Sequence, residues 1–255
     1  MNLLKNKTAM ITGASRGIGR AAALALAEKG MNIVALARSE EALRSLGAEL
    51  NSMGVSSICY VGDVANYEDI ERTVCAAIDQ FGDIDILVNN AGLIEPIAHL
   101  AESDVAAWDY AMDVNVKGVY HGLRAVIPTM QQRGEGTIIN ISSGAATSTL
   151  EGWSAYCASK AAVLSLTKST HKEYHQHGIN CVGLSPGTVA TDMQYTIKDS
   201  GMNPVSQLDW SKHIPADWVA QAIVYIATEG GKSLSGSDFS LKTNEGRDLV
   251  GLPRI

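Results

Sequence analysis

The feature of this 255-residue sequence that most restricts its fold is an alternation of short apolar runs with long stretches whose apolar residues recur at helical spacing. Runs at 8–12, 32–37, 57–61, 84–89, 136–142, 179–184 and 236–239 predict strands. Stretches at 17–29, 40–53, 66–81, 103–132, 154–176 and 216–229 predict helices between them. Strands joined through helices run parallel, and right-handed crossovers put helices on both faces of the sheet. The expected fold class is α/β, a doubly wound sheet of about seven parallel strands filling one domain, residues 1–255. Hydrophobic residues make up 46% of the chain and aromatic ones only 5%, which suits close layers of strands and helices better than an aromatic-rich sandwich.

A net charge of −7 with no basic cluster argues against a nucleic-acid partner, which needs a clustered cationic surface. Cys59, Cys75, Cys157 and Cys181 are scattered, without a C-x-x-C pair, and are expected to be reduced and mostly buried. No metal site is expected. His171 and His175 are four apart with His177 close by, but they lack a carboxylate or Cys partner and read as solvated helix-end residues. The first residues, MNLLKNKTAMITGAS, hold no apolar run of signal-peptide length, and no later run reaches membrane-spanning length, so a soluble cytoplasmic protein is expected and no membrane partner.

Directly after the first run stands GASRGIG, residues 13–19, and then an Ala-rich helical stretch. Gly13, Gly17 and Gly19 supply backbone without Cβ, which a tight turn needs both for unusual dihedral angles and for close approach of a pyrophosphate. Ser15, Arg16 and Ile18 would line the anion beside the free N–H groups and positive end of the helix. The same glycines read equally as turn punctuation. Asp63 in VGDV is as readily a helix cap as a ligand, and the asparagines of Asn89-Asn90-Ala91-Gly92 can simply satisfy main-chain groups between strands. Asn115, in DVNVKG, lies inside a helical stretch, where Asn is mildly unfavourable and can mark a kink.

Tyr156 and Lys160, in YCASK, are four residues apart in a helical stretch, so both leave one face. A phenol that acts as a base at neutral pH needs about 4 kcal/mol of differential stabilisation, and an ammonium one turn away can supply part of it. Such a pair is also common on ordinary helix surfaces. Ser143 ends the strand GTIINISS at the edge where a parallel sheet hosts ligands, and its hydroxyl can donate to a carbonyl oxygen. Ser142 is the adjacent candidate, but alternation lets only one of the two face a ligand.

Taken in order, TGASRGIG, VGDV, NNAG, Asn115, Ser143 and YCASK resemble the motifs of the short-chain dehydrogenase/reductase family. The resemblance spans residues 8–160 and implies a Rossmann-like fold and a nicotinamide-dependent oxidoreductase. It implies Tyr156 as proton donor or acceptor, Lys160 and the oxidised cofactor's positive ring as what acidifies it, and Ser143 as carbonyl partner. Asn115 would hold a water linking Lys160 to solvent. Asp63 and Val64 would contact adenine, and Asn90, Ala91 and Gly92 would line the cofactor. Pro186, Gly187, Val189 and Thr191 resemble the family's segment that holds the nicotinamide carboxamide and nearby phosphate. The tail SGSDFSLKTNEG departs from the Asp-Gly-Gly ending of many relatives, so C-terminal contacts do not carry over. PGTVATDMQ resembles the matching stretch of sepiapterin and diketone reductases.

Family members that use NAD usually end their second strand in an acidic residue. Here that position is Ala37, followed by Arg38, whose guanidinium can pair with a 2′-phosphate, with Arg16 approaching from the other side. NADP(H) is therefore the expected cofactor, with NAD(H) possible, although either arginine reads also as surface charge. The stretch 187–215 is the least regular and is expected to be a substrate lid. Trp153, Met193, Tyr195, Met202 and Trp210 are candidates for an apolar pocket or for ordinary packing. The expected substrate is a small ketone, diketone or aldehyde, or the matching alcohol. A 3-oxoacyl carrier-protein reductase is the alternative, for which Lys198 and Lys212 are too few cations to decide. A catalytically inactive nucleotide sensor or scaffold needs only the cofactor half, and an epimerase or dehydratase needs a larger C-terminal region. The long helices 103–132 and 154–176 are expected to pair with those of another copy in a homodimer or homotetramer.

Overall fold

A computed structural model describes residues 3–255; Met1 and Asn2 of the expected 1–255 unit lie outside the described residues. The strands are β1 (Thr8–Thr12), β2 (Asn32–Ala37), β3 (Ser57–Val61), β4 (Ile86–Asn89), β5 (Gly136–Ile141), β6 (Ile179–Ser185) and β7 (Asp238–Ser240). The helices are α1 (Gly17–Glu28), α2 (Glu40–Ser52), α3 (Tyr67–Phe81), α4 (Val105–Met112), α5 (Gly118–Arg133), α6 (Ser154–Tyr174), α7 (Asp192–Ser200), α8 (Ala216–Tyr225), α9 (Gly231–Leu234) and α10 (Asn244–Leu249). The strands form one 7-stranded sheet in the order β3-β2-β1-β4-β5-β6-β7. Every pairing is parallel. The expected doubly wound α/β fold is what the chain adopts.

Alternation along the strands divides the core into two layers. Ala9 and Ile11 of β1 and Ile33 and Ala35 of β2 face Leu26 of α1, Leu43, Leu46 and Leu50 of α2, and Val219 and Ile223 of α8. Met10, Val34 and Leu36 point the other way, against Ile70 and Val74 of α3, Leu123 and Val126 of α5, and Val163 of α6. Each fully buried leucine contributes about 2 kcal/mol. The chain winds outward from β1 to β3, returns to β4 and winds outward again to β7. The β1 and β4 loops therefore leave in opposite directions and open a crevice between them at the strand C-termini.

The structure corrects several expected boundaries. Residues 103–132 are not one regular helix: α4 starts after Asp104, whose carboxylate accepts from Ala107 N–H at 2.8 Å, and Asp113–Lys117 form a π-turn before α5. The stretch 216–229 likewise passes from α8 into a π-turn at Ile226–Gly230 and then α9. The stretch 187–215 is more ordered than its composition suggests, holding α7 and 3-10 turns at Pro204–Gln207 and Trp210–Lys212. Helix α7 buries only Gln194 and Ile197, too little to show as periodicity. For the same reason α10, which buries only Gly246, gives no sequence signal. Gly236 takes φ +82°, so β7 begins at Asp238 rather than 236. Before β4, Asp85 is drawn aside by Thr8 N–H at 2.7 Å and by Arg133 at 2.9 Å.

Candidate active site

The glycine turn is built against the end of β4. The Thr12 hydroxyl accepts from Asn90 and Ala91 N–H at 3.0 and 3.1 Å and ties the two strand ends together. Gly13 follows with φ +64°, and a Cβ there would stand 2.9 Å from Ala91 Cα. A Cβ on Gly19 would run into the Gly13 carbonyl and the Asn90 amide. That amide donates to the Thr12 and Gly13 carbonyls at 3.0 and 3.1 Å, while Asn89 donates to Asn140 Oδ1 at 2.9 Å inside the sheet. The asparagines thus serve the main chain and the sheet, with Ala91 and Gly92 left along the crevice. Gly17, at φ +53°, opens α1 beneath the methyl group of Thr191.

Helix α1 has no side-chain cap and no acidic residue in its first turn, whereas Ser39 caps α2 and Asn66 caps α3. An uncapped N-terminus directs its N–H groups and positive end outward, here into the crevice, which suits a phosphate. A cradle that any Cβ would fill, beside such a helix end, fits the pyrophosphate of a dinucleotide.

Arg38 extends from the end of β2 and donates to Tyr110 OH at 2.7 Å, and that hydroxyl donates to Asp63 Oδ2 at 2.6 Å. Asp63 is not the cap of α3; its other oxygen accepts from Ala65 N–H at 2.9 Å and shapes the loop. Val64 is buried against Gly118 of α5, which has room for it only because it lacks a Cβ. Arg16 pairs with Asp192 at 3.0 Å on the exposed surface, joining the glycine turn to α7.

At the other end of the crevice, Tyr156 and Lys160 leave one face of α6, with the ammonium 5.5 Å from the phenol ring centroid. Lys160 is buried and donates to the Ile141 carbonyl at 2.7 Å. Burial depresses its ammonium to about 8, opposed by the charge of Asp238. Burial raises the Tyr156 phenol, and a hydrogen bond with Ser143 acts in the opposite direction. In the protein alone the phenol is therefore held protonated rather than acidified. Ser143 Oγ accepts from Ala145 N–H at 3.2 Å, which leaves its own proton free to be donated. Ser142 points the other way and is buried, as alternation requires. Asn115 is buried in the π-turn, accepting from Leu93 N–H at 2.7 Å and donating to the Leu93 carbonyl and Ser159 Oγ at 2.8 and 3.1 Å. A Cβ on Gly92 would stand 3.4 Å from the Asn115 oxygen and 3.9 Å from the Lys160 nitrogen, so the three residues meet at one point.

The site residues expected from the sequence, except Asn115 and Gly19, line one cleft of about 900 Å³, Pro186, Gly187, Val189 and Thr191 among them. Its substrate end is apolar: Ile94, Trp153, Met193 and Ile197 gather around Tyr156. Of the residues expected there, Trp153 and Met193 line the cleft. Tyr195 and Trp210 do not; they stack on each other at 4.7 Å on the exposed surface. Met202 packs over Gly152 instead. Lys212 reaches the cleft, whereas Lys198 acts on Asp209 outside it.

His171 bonds Ser235 at 2.8 Å and stacks on His175 at 4.6 Å, so these two are half-buried rather than solvated. Cys157 and Cys181 are buried, Cys59 is half-buried and Cys75 is exposed, and all are free thiols. Among the described residues no helix is long and apolar enough to cross a membrane. Tyr110, Asp238 and Lys242 carry no role in the motifs, and Thr12, which opens TGASRGIG, is given none there. Only Thr12, which precedes the glycine turn, carries a local signal, because the others act across the fold.

The family profile for short chain dehydrogenases matches residues 7–201. The chain is 33% identical over 235 residues to the 3-oxoacyl-acyl-carrier-protein reductase FabG of Staphylococcus epidermidis, covering 91% of this chain and 95% of that protein. It is 34% identical over 244 residues to the 3-oxoacyl-acyl-carrier-protein reductase of Synechocystis sp., covering 94% and 97%. The crystal structure of an NAD+-bound xylitol dehydrogenase superposes with a TM-score of 0.87 at 25% identity, covering 94% of this chain and 98% of that one.

Proposed function

Since the chain belongs to the short-chain dehydrogenase family and is an oxidoreductase of that family, we propose that it reduces a small ketone, diketone or aldehyde, or oxidises the matching alcohol, with Tyr156 as general acid or base. The observation that carries this reading is the meeting of Ser143, Tyr156 and the buried Lys160 at the apolar end of the cleft. A nicotinamide dinucleotide, when bound along the glycine turn and the 186–191 segment, supplies or accepts the hydride. Every other part of the reaction falls to the chain. Ser143 donates to the carbonyl oxygen and stabilises the charge that develops there. Tyr156, neutral because it is buried, gives its proton to that oxygen. The Lys160 ammonium favours the phenolate left behind. Asn115 fixes Leu93 and Ser159 around this point; Lys160 then passes a proton to the phenolate, and the water that Asn115 is proposed to hold would return one from solvent to Lys160.

NADP(H) is the proposed cofactor. Arg38 supports it, because Tyr110 and Asp63 hold its guanidinium at the end of β2 where an acidic residue would repel a 2′-phosphate. Arg16, tied to Asp192, is left out of this role. An Arg38→Asp variant is expected to lower kcat/KM for NADPH at least tenfold relative to NADH; unchanged selectivity would sink the assignment. The names of the FabG-type relatives favour a second reading, reduction of a 3-oxoacyl thioester. Purified protein with NADPH and a panel of ketones, diketones, aldehydes and a neutral 3-oxobutanoyl thioester separates the two. Turnover of the thioester alone would favour the second reading, and cofactor binding without any turnover would refute both. A cytoplasmic homodimer or homotetramer completes the proposal.

A further inference from the structure

Two cationic side chains that line the cleft, Lys212 and Lys242, are not used by the reaction above, and Lys242 is the one that lies beside Gly144, next to Ser143. Along β7 and just beyond it, Phe239 and Leu241 are buried in the core. By alternation, Asp238 and Ser240 leave the opposite face of the sheet, and Lys242 follows just beyond the strand's end. Asp238 confirms that direction by accepting from Ser185 Oγ at 2.8 Å. The backbone carrying Lys242 is held on both sides. Leu241 N–H continues the ladder to the Ser185 carbonyl at 3.0 Å, and Arg247 grips the Leu241 and Pro253 carbonyls at 2.8 and 3.0 Å. Thr243 then caps α10.

Two glycines leave room for the side chain. A Cβ on Gly187 would stand 3.0 Å from Lys242 Cγ, and one on Gly144 would stand 3.7 Å from Lys242 Nζ. The stem thus lies across the 186–191 segment and the ammonium lies next to the residue that follows Ser143. Lys242 lines the cleft. Other cations there are engaged, Arg16 with Asp192, Arg38 with Tyr110, Lys160 with the Ile141 carbonyl and Arg247 with its two carbonyls, while the charge of Lys212 acts on Asp209. Among the described residues no side chain pairs with the Lys242 ammonium. It stands free in a chain whose net charge is −7.

We propose that Lys242 is a specificity-determining residue that receives the carboxylate of an oxo acid, so that the natural substrate carries an anionic group a few atoms from the reacting carbonyl. This rests on the reductase reading. A carbonyl held by Ser143 and Tyr156 leaves a nearby carboxylate beside Gly144, where the ammonium is. The contact is made equally before and during hydride transfer, so it acts on KM more than on kcat.

The test compares 3-oxobutanoate with its methyl ester, in the unaltered protein and in Lys242→Met, which keeps the stem. The unaltered protein is expected to show the lower KM for the anion. Lys242→Met should raise that KM about tenfold, leaving kcat and the ester constants in place. Equal effects on both compounds, or none on either, would overturn the proposal. Calorimetric binding of 3-oxobutanoate to the cofactor-loaded protein separates the two levels. If no carbonyl compound is turned over but the anion binds and Lys242→Met weakens it about tenfold, the reductase reading falls and the anion site stands. If the anion does not bind, or binds both proteins alike, the anion site is refuted whatever the turnover.

Discussion

At the scale of single residues, burial biases the titratable groups of the site toward their neutral forms. Tyr156 is kept neutral by burial, which makes it an acid ready for a developing alkoxide. Replacing Tyr156 by Phe removes only the hydroxyl and should cut kcat by about 10²–10⁴ while leaving cofactor affinity, measured by fluorescence titration, nearly unchanged. Lys160→Ala should harm both, because the side chain also braces the Ile141 carbonyl. Asp238 carries the opposite burden. Burial raises its carboxyl, against the pull of Ser185, Ser142 and Lys160. A carboxyl raised by folding stabilises the fold in full below its unfolded value, and that contribution is lost as pH rises through the folded value. Asp238→Asn should therefore raise the melting temperature at pH 7, and the gain over the unaltered chain should vanish near pH 4. A gain of equal size at both pH values would show that packing, not charge, is responsible. Tyr156 and Lys160 are legible in the sequence because four residues on a helix bring them to one face. Asp238, Tyr110 and Lys242 are not, since each meets its partners only after distant strands have paired.

At the scale of elements, regular periodicity was readable and its interruptions were not. The strands and most helices follow from the repeat of apolar residues, and the uncapped start of α1 is visible as the lack of Ser, Thr, Asp or Asn at Arg16. The π-turn at Asp113–Lys117 is hidden, because one residue inserted into a wider, underwound turn does not disturb the apolar pattern around it. Its effect is nonetheless large: it turns Asn115 inward to bind both polar atoms of the Leu93 backbone and Ser159, joining the loop after β4 to α6. Asn115→Leu would leave those buried groups without partners, at a cost of about 2–4 kcal/mol. Unfolding in urea should show this loss. Activity should fall further than stability explains, since Gly92 and Lys160 share the same point. A variant as stable as the unaltered protein would mean that the π-turn relaxes to α-helix without consequence. The stretch 187–215 reads as irregular in sequence, but α7 gives it a helical body, tied to the glycine turn by Arg16 and Asp192.

At the scale of the whole molecule, the alternation of strands and helices implies a doubly wound parallel sheet, and the order β3-β2-β1-β4-β5-β6-β7 that the chain adopts sets the crevice at the β1/β4 switch. What one chain's sequence marks less clearly is which outer surfaces stay uncovered. On α6 the residues Ala158, Ala161 and Ser165 are exposed, at spacings of three and four that put them on one face. On α4 and α5, Val105 and Tyr120 are 74% and 51% exposed, a cost that water imposes on a lone chain. Small, uncharged residues along a helix let a second helix approach closely, so this side is where a second copy is proposed to pack. Ser165→Arg provides the test. The site is exposed, so the substitution should change the stability of a single chain by less than about 0.5 kcal/mol. In a helix-to-helix contact the same change would trap a long cation against its own copy across the symmetry axis. Sedimentation velocity should give two or four times the chain mass for the unaltered protein and a shift toward single-chain mass for Ser165→Arg. Because α6 also carries Tyr156 and Lys160, the dissociated chain should lose activity on dilution in parallel with its mass. An unaltered protein that sediments at single-chain mass would remove the proposed assembly and leave the exposed face of α6 without a partner.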